Sequence, residues 1–314
     1  MTASARSMDT RELIKKVRRI ELVTRRLVNL ELAGQYHSVF KGRGMDFDEV
    51  VPYAAGDDVR FIDWNVSARS GDLFVKRFVE ERELTVLIMV DASSSMNFGS
   101  AAESKQLVAA QIAALLAMLA VRNNDRVGLL VFDDEVRLYL PPKKGKKHVL
   151  RLVTSILGHE SRPSKTDLAE ALQYASRVSK RRAIVFMISD FLNVNVERDL
   201  RILSRRHDAV PVVIRDRLEG EVAPRERRPG LLERWFGGGL IEARDLEGRG
   251  DASFDFGSDR HRARFAEETQ REAQERDRLF ARLRLDTIFY DADLPSETDY
   301  VRPIVRFFRR RAHR

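Results

Sequence analysis

From Leu84 to Val90 the chain is apolar but for Thr85 and rich in β-branched residues, then stops at Asp91 and continues Ala92-Ser93-Ser94-Ser95-Met96. Such a run reads as a strand buried on both faces. Beyond it, Lys105 to Arg122 carries Leu107, Val108, Ile112, Leu115, Leu116 and Leu119 at the spacing of a helix with one buried face. Strand, polar loop and helix in that order predict an α/β fold. In an open α/β sheet, ligands bind beyond the carboxyl ends of the parallel strands, so the loop from Asp91 to Ser95 falls where a site is expected.

The chain has 314 residues, 43% of them hydrophobic, which suits about two domains or one α/β domain with additions. Cysteine is absent, and with it disulfides, thiolate zinc sites and cysteine nucleophiles. No apolar run reaches the roughly 18 residues that would span a bilayer. Met1 to Ser7 lacks the apolar core of a secretory signal. Both observations predict a cytoplasmic protein without a transmembrane segment. The net charge of +8 permits nucleic acid or anionic lipid as a partner, but 48 acids are interspersed among 56 bases. The clusters Arg225 to Arg228 and Arg309 to Arg314 carry no interleaved stacking aromatics. Nucleic acid is therefore disfavoured, while peripheral membrane contact stays open.

Asp91, Ser93 and Ser95 place an acid and two hydroxyls at alternate positions, and their oxygens can turn to one point. Hard oxygen ligands in a small cluster suit Mg²⁺ or Mn²⁺ rather than zinc. The plainer alternative is an Asp and Ser loop that caps the following helix. Asp-x-Ser-x-Ser after a buried strand resembles the metal-ion-dependent adhesion site of von Willebrand factor A domains. That resemblance implies two further ligands. Thr166 stands in the second loop, Ser164-Lys165-Thr166-Asp167-Leu168, where an N-cap role is the alternative and Ser164-Lys165 replaces a frequent glycine pair. Asp190 follows the buried strand Ala183 to Ile188. An ion held by Asp91, Ser93, Ser95, Thr166 and Asp190 would keep one octahedral position for an acidic side chain of another protein.

Upstream, Arg11 to Leu32 has a helical rhythm, and Gly34 to Glu83 changes to short apolar pieces between turns, a small β-rich module. The module contains Gly42-Arg43-Gly44-Met45-Asp46-Phe47-Asp48-Glu49, Gly56-Asp57-Asp58-Val59-Arg60, Ile62-Asp63-Trp64 and Ala68-Arg69. These linked motifs resemble the bacterial domain of unknown function fifty-eight, which joins such a signature to a von Willebrand A-like domain. The resemblance implies a non-enzymatic adaptor that works with a MoxR-type AAA+ ATPase and a client protein in assembly, maturation or metal insertion. The module's acids read as turn formers paired with nearby arginines, and Trp64 as a core or interface anchor.

The remaining chain alternates strand and helix. Val127 to Phe132 is a buried strand, and Val136 to Leu140 an antiparallel edge partner that Pro141-Pro142 should end. Helices follow at His148 to Leu157 and Asp167 to Val178, then a strand at Val210 to Arg215. A loop-rich insertion at 216–259 carries a candidate hairpin. A charged helix, a last strand at Asp286 to Tyr290 and a closing helix complete the chain. The expected architecture is a doubly wound, mostly parallel sheet of Rossmann type at 84–314, preceded by a helix and β-rich module at 1–83.

Catalysis finds little support in these residues. A phosphatase built on Asp91 needs a second acid two positions later, where Ser93 stands. The serines lack a Gly-x-Ser-x-Gly turn, and the six histidines are scattered. A divalent-metal phosphohydrolase and a basic protein acting at a nucleic-acid or membrane surface remain the alternative readings.

Overall fold

The computed structural model describes residues 10–27, 30–40, 46–79, 83–97, 104–159, 167–192, 196–215, 259–291 and 301–312. In chain order they form α1 (Thr10–Leu27), α2 (Leu30–Phe40), β1 (Asp46–Pro52), α3 (Trp64–Ser70), β2 (Phe74–Val79), β3 (Thr85–Asp91), α4 (Lys105–Arg122), β4 (Arg126–Phe132) and β5 (Val136–Lys143). There follow α5 (Lys146–Leu157), α6 (Leu168–Val178), β6 (Ile184–Ser189), α7 (Glu197–Arg206), β7 (Asp208–Arg215), α8 (Asp259–Arg282), β8 (Ile288–Asp291) and α9 (Val301–Ala312). Thr166 and residues 216–258, including the expected hairpin, lie outside the described residues.

The main sheet has the order β5-β4-β3-β6-β7-β8 and is parallel except where β5 runs against β4. Side chains alternate along each strand, so every central strand feeds two cores. Val86, Ile88 and Val90 of β3 pack on one face with α4, α5, α9 and the N-terminal helices. Leu87 and Met89 pack on the other, with α6, α7 and the end of α8. The result is the doubly wound, mostly parallel α/β sheet expected. The strand order reverses between β3 and β6, which makes the space above those two strands the topological switch point.

Three elements depart from the sequence reading for visible reasons. The α4 helix buries almost its whole circumference, rather than one face, because α1, α2 and α5 cover it. Among the described residues it is also the helix long and apolar enough, by length and composition, to cross a membrane, yet most of it lies inside the protein. The helical region at the N-terminus extends through Gly34 to Phe40, where turns were expected. Tyr36 and Phe40 meet Phe308 of α9 edge-on at 5.8 and 5.9 Å, and burial of these rings outweighs the low helix propensity of glycine. The β5 strand continues through Pro141-Pro142 to Lys143, tolerated because it is the sheet edge.

The small module is an antiparallel β1–β2 pair with α3 between its strands. The Asp63 carboxylate caps α3 by accepting from Asn65 and Val66 N–H, and Gly71 closes it at φ 83°. The Asp57 carboxylate accepts from Ala54 N–H, and Asp58 pairs with Arg60. These acids thus shape turns. Trp64 does not anchor a core: it opens α3 with 68% of its surface exposed. The module joins the sheet at the amino end of β3, the far end of that strand from Asp91.

Candidate functional site

Asp91 is the last residue of β3, and Ser189 ends β6 beside it, because the two strands run parallel with Val90 opposite Ile188. The Asp91 side chain is fully buried. Its Oδ1 accepts the Ser93 N–H at 2.9 Å, the self-bond by which an Asp turns its own loop. Its Oδ2 accepts the Ser189 hydroxyl at 2.6 Å. Ser93 and Ser95 hydroxyls lie 3.0 Å apart, where the chain enters a short 3₁₀ turn at Ser94–Asn97. Burial pushes the Asp91 carboxyl up to about 7, with the negative charge of Asp190 acting in the same direction and the bonds from Ser189 and Ser93 opposing.

Asp190 follows β6 and is 3% exposed. Its Oδ1 accepts the Leu192 N–H at 3.3 Å, and its backbone carbonyl accepts from Arg276 Nη1 at 3.1 Å. The next residue, Phe191, sits in the left-handed region at φ 53°, unusual for a bulky side chain, held by its N–H donating to Ser189 Oγ at 3.0 Å and by edge-on packing against Phe280 at 5.2 Å. Backbone strain is therefore stored beside the acid. Across the loop, Lys105 Nζ lies 3.3 Å from Asp190 Oδ2, and the lysine is 1% exposed.

Four of the five sequence-derived site residues, Asp91, Ser93, Ser95 and Asp190, thus belong to the two loops at the switch point. The fifth, Thr166, is not described; the residue after it, Asp167, is the N-cap of α6 through the Glu170 N–H at 2.9 Å. Three participants escaped the sequence reading: Lys105, Ser189 and Arg276. For Lys105 a signal existed, since it is a lone charge leading an apolar helix. For Ser189 and Arg276 nothing in the linear pattern pointed to the loops.

The 3.0 Å between the Ser93 and Ser95 oxygens is a hydrogen bond of one hydroxyl to the other, and both Asp91 oxygens accept bonds from within the chain. The second acid is engaged as well. Asp190 already pairs with the chain's own ammonium, and a divalent ion there would meet a buried like charge. Among the described residues no cluster of three or more acids or histidines is placed to hold a metal ion. Of the described histidines, His148 and His207 lie at the other end of the strands, against Val127 and Ala183, while His159 stands 3.9 Å from Asp133, the residue after β4 on the same edge as Asp91.

Uncharacterized proteins of Mycobacterium tuberculosis and Mycobacterium bovis are 30% identical to this chain over 212 residues, 67% of each chain. Among solved structures, an aerotolerance-related membrane protein from Bacteroides fragilis is 16% identical, with 72% of this chain and 99% of that one covered at a TM-score of 0.40. A von Willebrand factor type A protein from Catenulispora acidiphila is 11% identical, with 76% and 43% covered at a TM-score of 0.36. The cytoplasmic location expected from the sequence is corrected here: the Bacteroides protein is described as a membrane protein, and the expectation is withdrawn. Residues 49–275 match the family described as Protein of unknown function DUF58, and with most of the chain inside that match, the chain belongs to the DUF58 family.

Proposed function

We propose that this chain is a non-enzymatic interaction module that docks a partner protein, in service of a MoxR-type AAA+ ATPase and its client. One observation carries the docking reading: Val59, Trp64 and Leu73 expose 61%, 68% and 46% of their surfaces within one short stretch of the β1–β2 module. A solvated indole on a capped helix contributes nothing to the core and is the side chain most enriched where protein partners bind. The absence of catalysis is supported by the switch-point loops, where both Asp91 oxygens accept internal bonds and the serine hydroxyls face each other. The ATPase partner rests on the family resemblance in the module's motifs.

The experiment is direct binding of the purified chain to the MoxR-type ATPase encoded in the same genome, compared with Trp64→Ala. Loss of binding in the variant, with no phosphate ester turned over by either protein form in Mg²⁺ or Mn²⁺, supports the adaptor. Turnover by the wild-type chain that Asp91→Asn abolishes would instead establish a phosphohydrolase.

A further inference from the structure

Lys105 is the first residue of α4, whose N-cap Ser104 accepts the Leu107 N–H. A cation at that position is opposed by the helix dipole, since the amino end of a helix is itself positive. Lysines ordinarily extend their stems so that the ammonium reaches water. This one is directed inward and buried to 1% exposure, a position tolerable only with a close counter-charge. Asp190 supplies it at 3.3 Å. Arg276, itself 7% exposed, brings a guanidinium to the backbone of the same residue at 3.1 Å. Asp190 is thus met by two cations of the chain, its carboxylate by Lys105 at the start of α4 and its backbone carbonyl by Arg276 of α8, whose guanidinium also pairs with Asp277 at 3.0 Å.

We infer that the Lys105 ammonium is the resident cation of this loop site, standing in the electrostatic place that a divalent ion takes in a metal-ion-dependent adhesion site, and that the edge is built to work without a metal. Lys105 ties the loop after β6 to the helix that follows the loop after β3. It therefore holds together the two segments that shared metal ligands would otherwise join. Ser93 is itself 1% exposed and its hydroxyl lies 3.0 Å from that of Ser95, so the edge presents no open coordination position and an acidic side chain of a partner gains no metal bond there. This inference concerns the edge alone and stands or falls without the partner docked at the β1–β2 module.

Calorimetry of the full chain with Mg²⁺ or Mn²⁺ alone, in millimolar excess, should give no binding heat, and neither ion should raise the thermal midpoint. Lys105→Met keeps an unbranched side chain one atom shorter and removes its charge, which leaves Asp190 and Asp91 without the ammonium. It should acquire Mn²⁺ binding, read by calorimetry or as recovery of circular dichroism when the ion is added, and Asp190→Asn in the same background should remove that gain. Lys105→Arg keeps the charge and should remain blind to metal. Wild-type binding of either ion that is lost in Asp91→Ala overturns the inference. So does a Lys105→Met chain, folded or not, that gains nothing from either ion.

Discussion

The Lys105 ammonium meets the Asp190 carboxylate across 85 residues of sequence, and both side chains are almost wholly removed from water. Removing one partner of a buried pair strands the other charge, at a cost of about 3–5 kcal/mol. Lys105→Ala and Asp190→Ala should each lower stability by that order in urea unfolding. The combination Lys105→Met with Asp190→Leu should cost far less than the sum of the two single changes, because no charge is left unpaired.

Tyr36 of α2 donates its hydroxyl to Asp125 Oδ2 at 3.0 Å, while Asp125 Oδ1 accepts the Leu84 N–H at 2.8 Å at the entry to β3. One aspartate therefore links the N-terminal helices to the central strand. Tyr36→Phe keeps the ring against Phe40 and Phe308 but takes a donor from a buried acid. Its expected cost is about 1–3 kcal/mol in chemical denaturation, with the circular dichroism spectrum unchanged.

His207 is buried between α7 and β7, and its Nδ1 accepts the Ala183 N–H at 3.3 Å, so the ring is neutral with its proton on Nε2. Burial lowers its pKa, and the nearby Arg206 and Arg182 charges lower it further. The unfolded chain then binds the proton more readily than the folded one. Stability from this residue is present above the unfolded value of about 6.5 and is lost as pH falls through the window between that value and the depressed folded one. His148, also lowered by burial, acts in the same direction, whereas Asp91, pushed up to about 7 in the fold, binds its proton more readily folded than unfolded and adds stability over the same range. His207→Gln removes only the histidine's share, so on mild acidification its urea midpoint should fall less, or rise more, than that of wild type.

Trp64→Ala should leave the urea midpoint within about 0.5 kcal/mol of wild type, because the indole is exposed. The same variant should bind the ATPase partner at least about tenfold more weakly, as truncation of an interfacial tryptophan does. A stability loss of several kcal/mol would show that Trp64 supports the fold rather than a partner.

Gly128 of β4 has no room for a larger side chain: a Cβ there would lie 3.0 Å from the Leu140 carbonyl oxygen and from Pro142 Cγ. Gly128→Ala should cost about 1–3 kcal/mol by forcing the edge strand β5 outward. Amide exchange should locate the change in β5.

Sequence alone determined the strands that lie wholly inside the sheet. A run of strand length that is rich in β-branched residues, such as Val86 to Val90, reads as a strand buried on both faces, and its termination at Asp91 marks where the backbone leaves the core. The order of strands and helices then dictated a doubly wound sheet. Asp91, Ser93 and Asp190 were legible for the same reason, as polar residues at the ends of buried strands. Tertiary structure decided the rest. Whether Trp64 is covered depends on what packs over α3, which its local pattern does not encode. Whether α4 is half or wholly buried depends on helices drawn from the other end of the chain. The partner of Asp190 is a lysine 85 residues away, which only the parallel pairing of β3 with β6 and the fold of α4 bring within 3.3 Å. A charge pattern in one dimension shows that a lysine leads an apolar helix; the packing of that helix on the sheet turns the lysine inward and makes it the counter-ion of a buried acid.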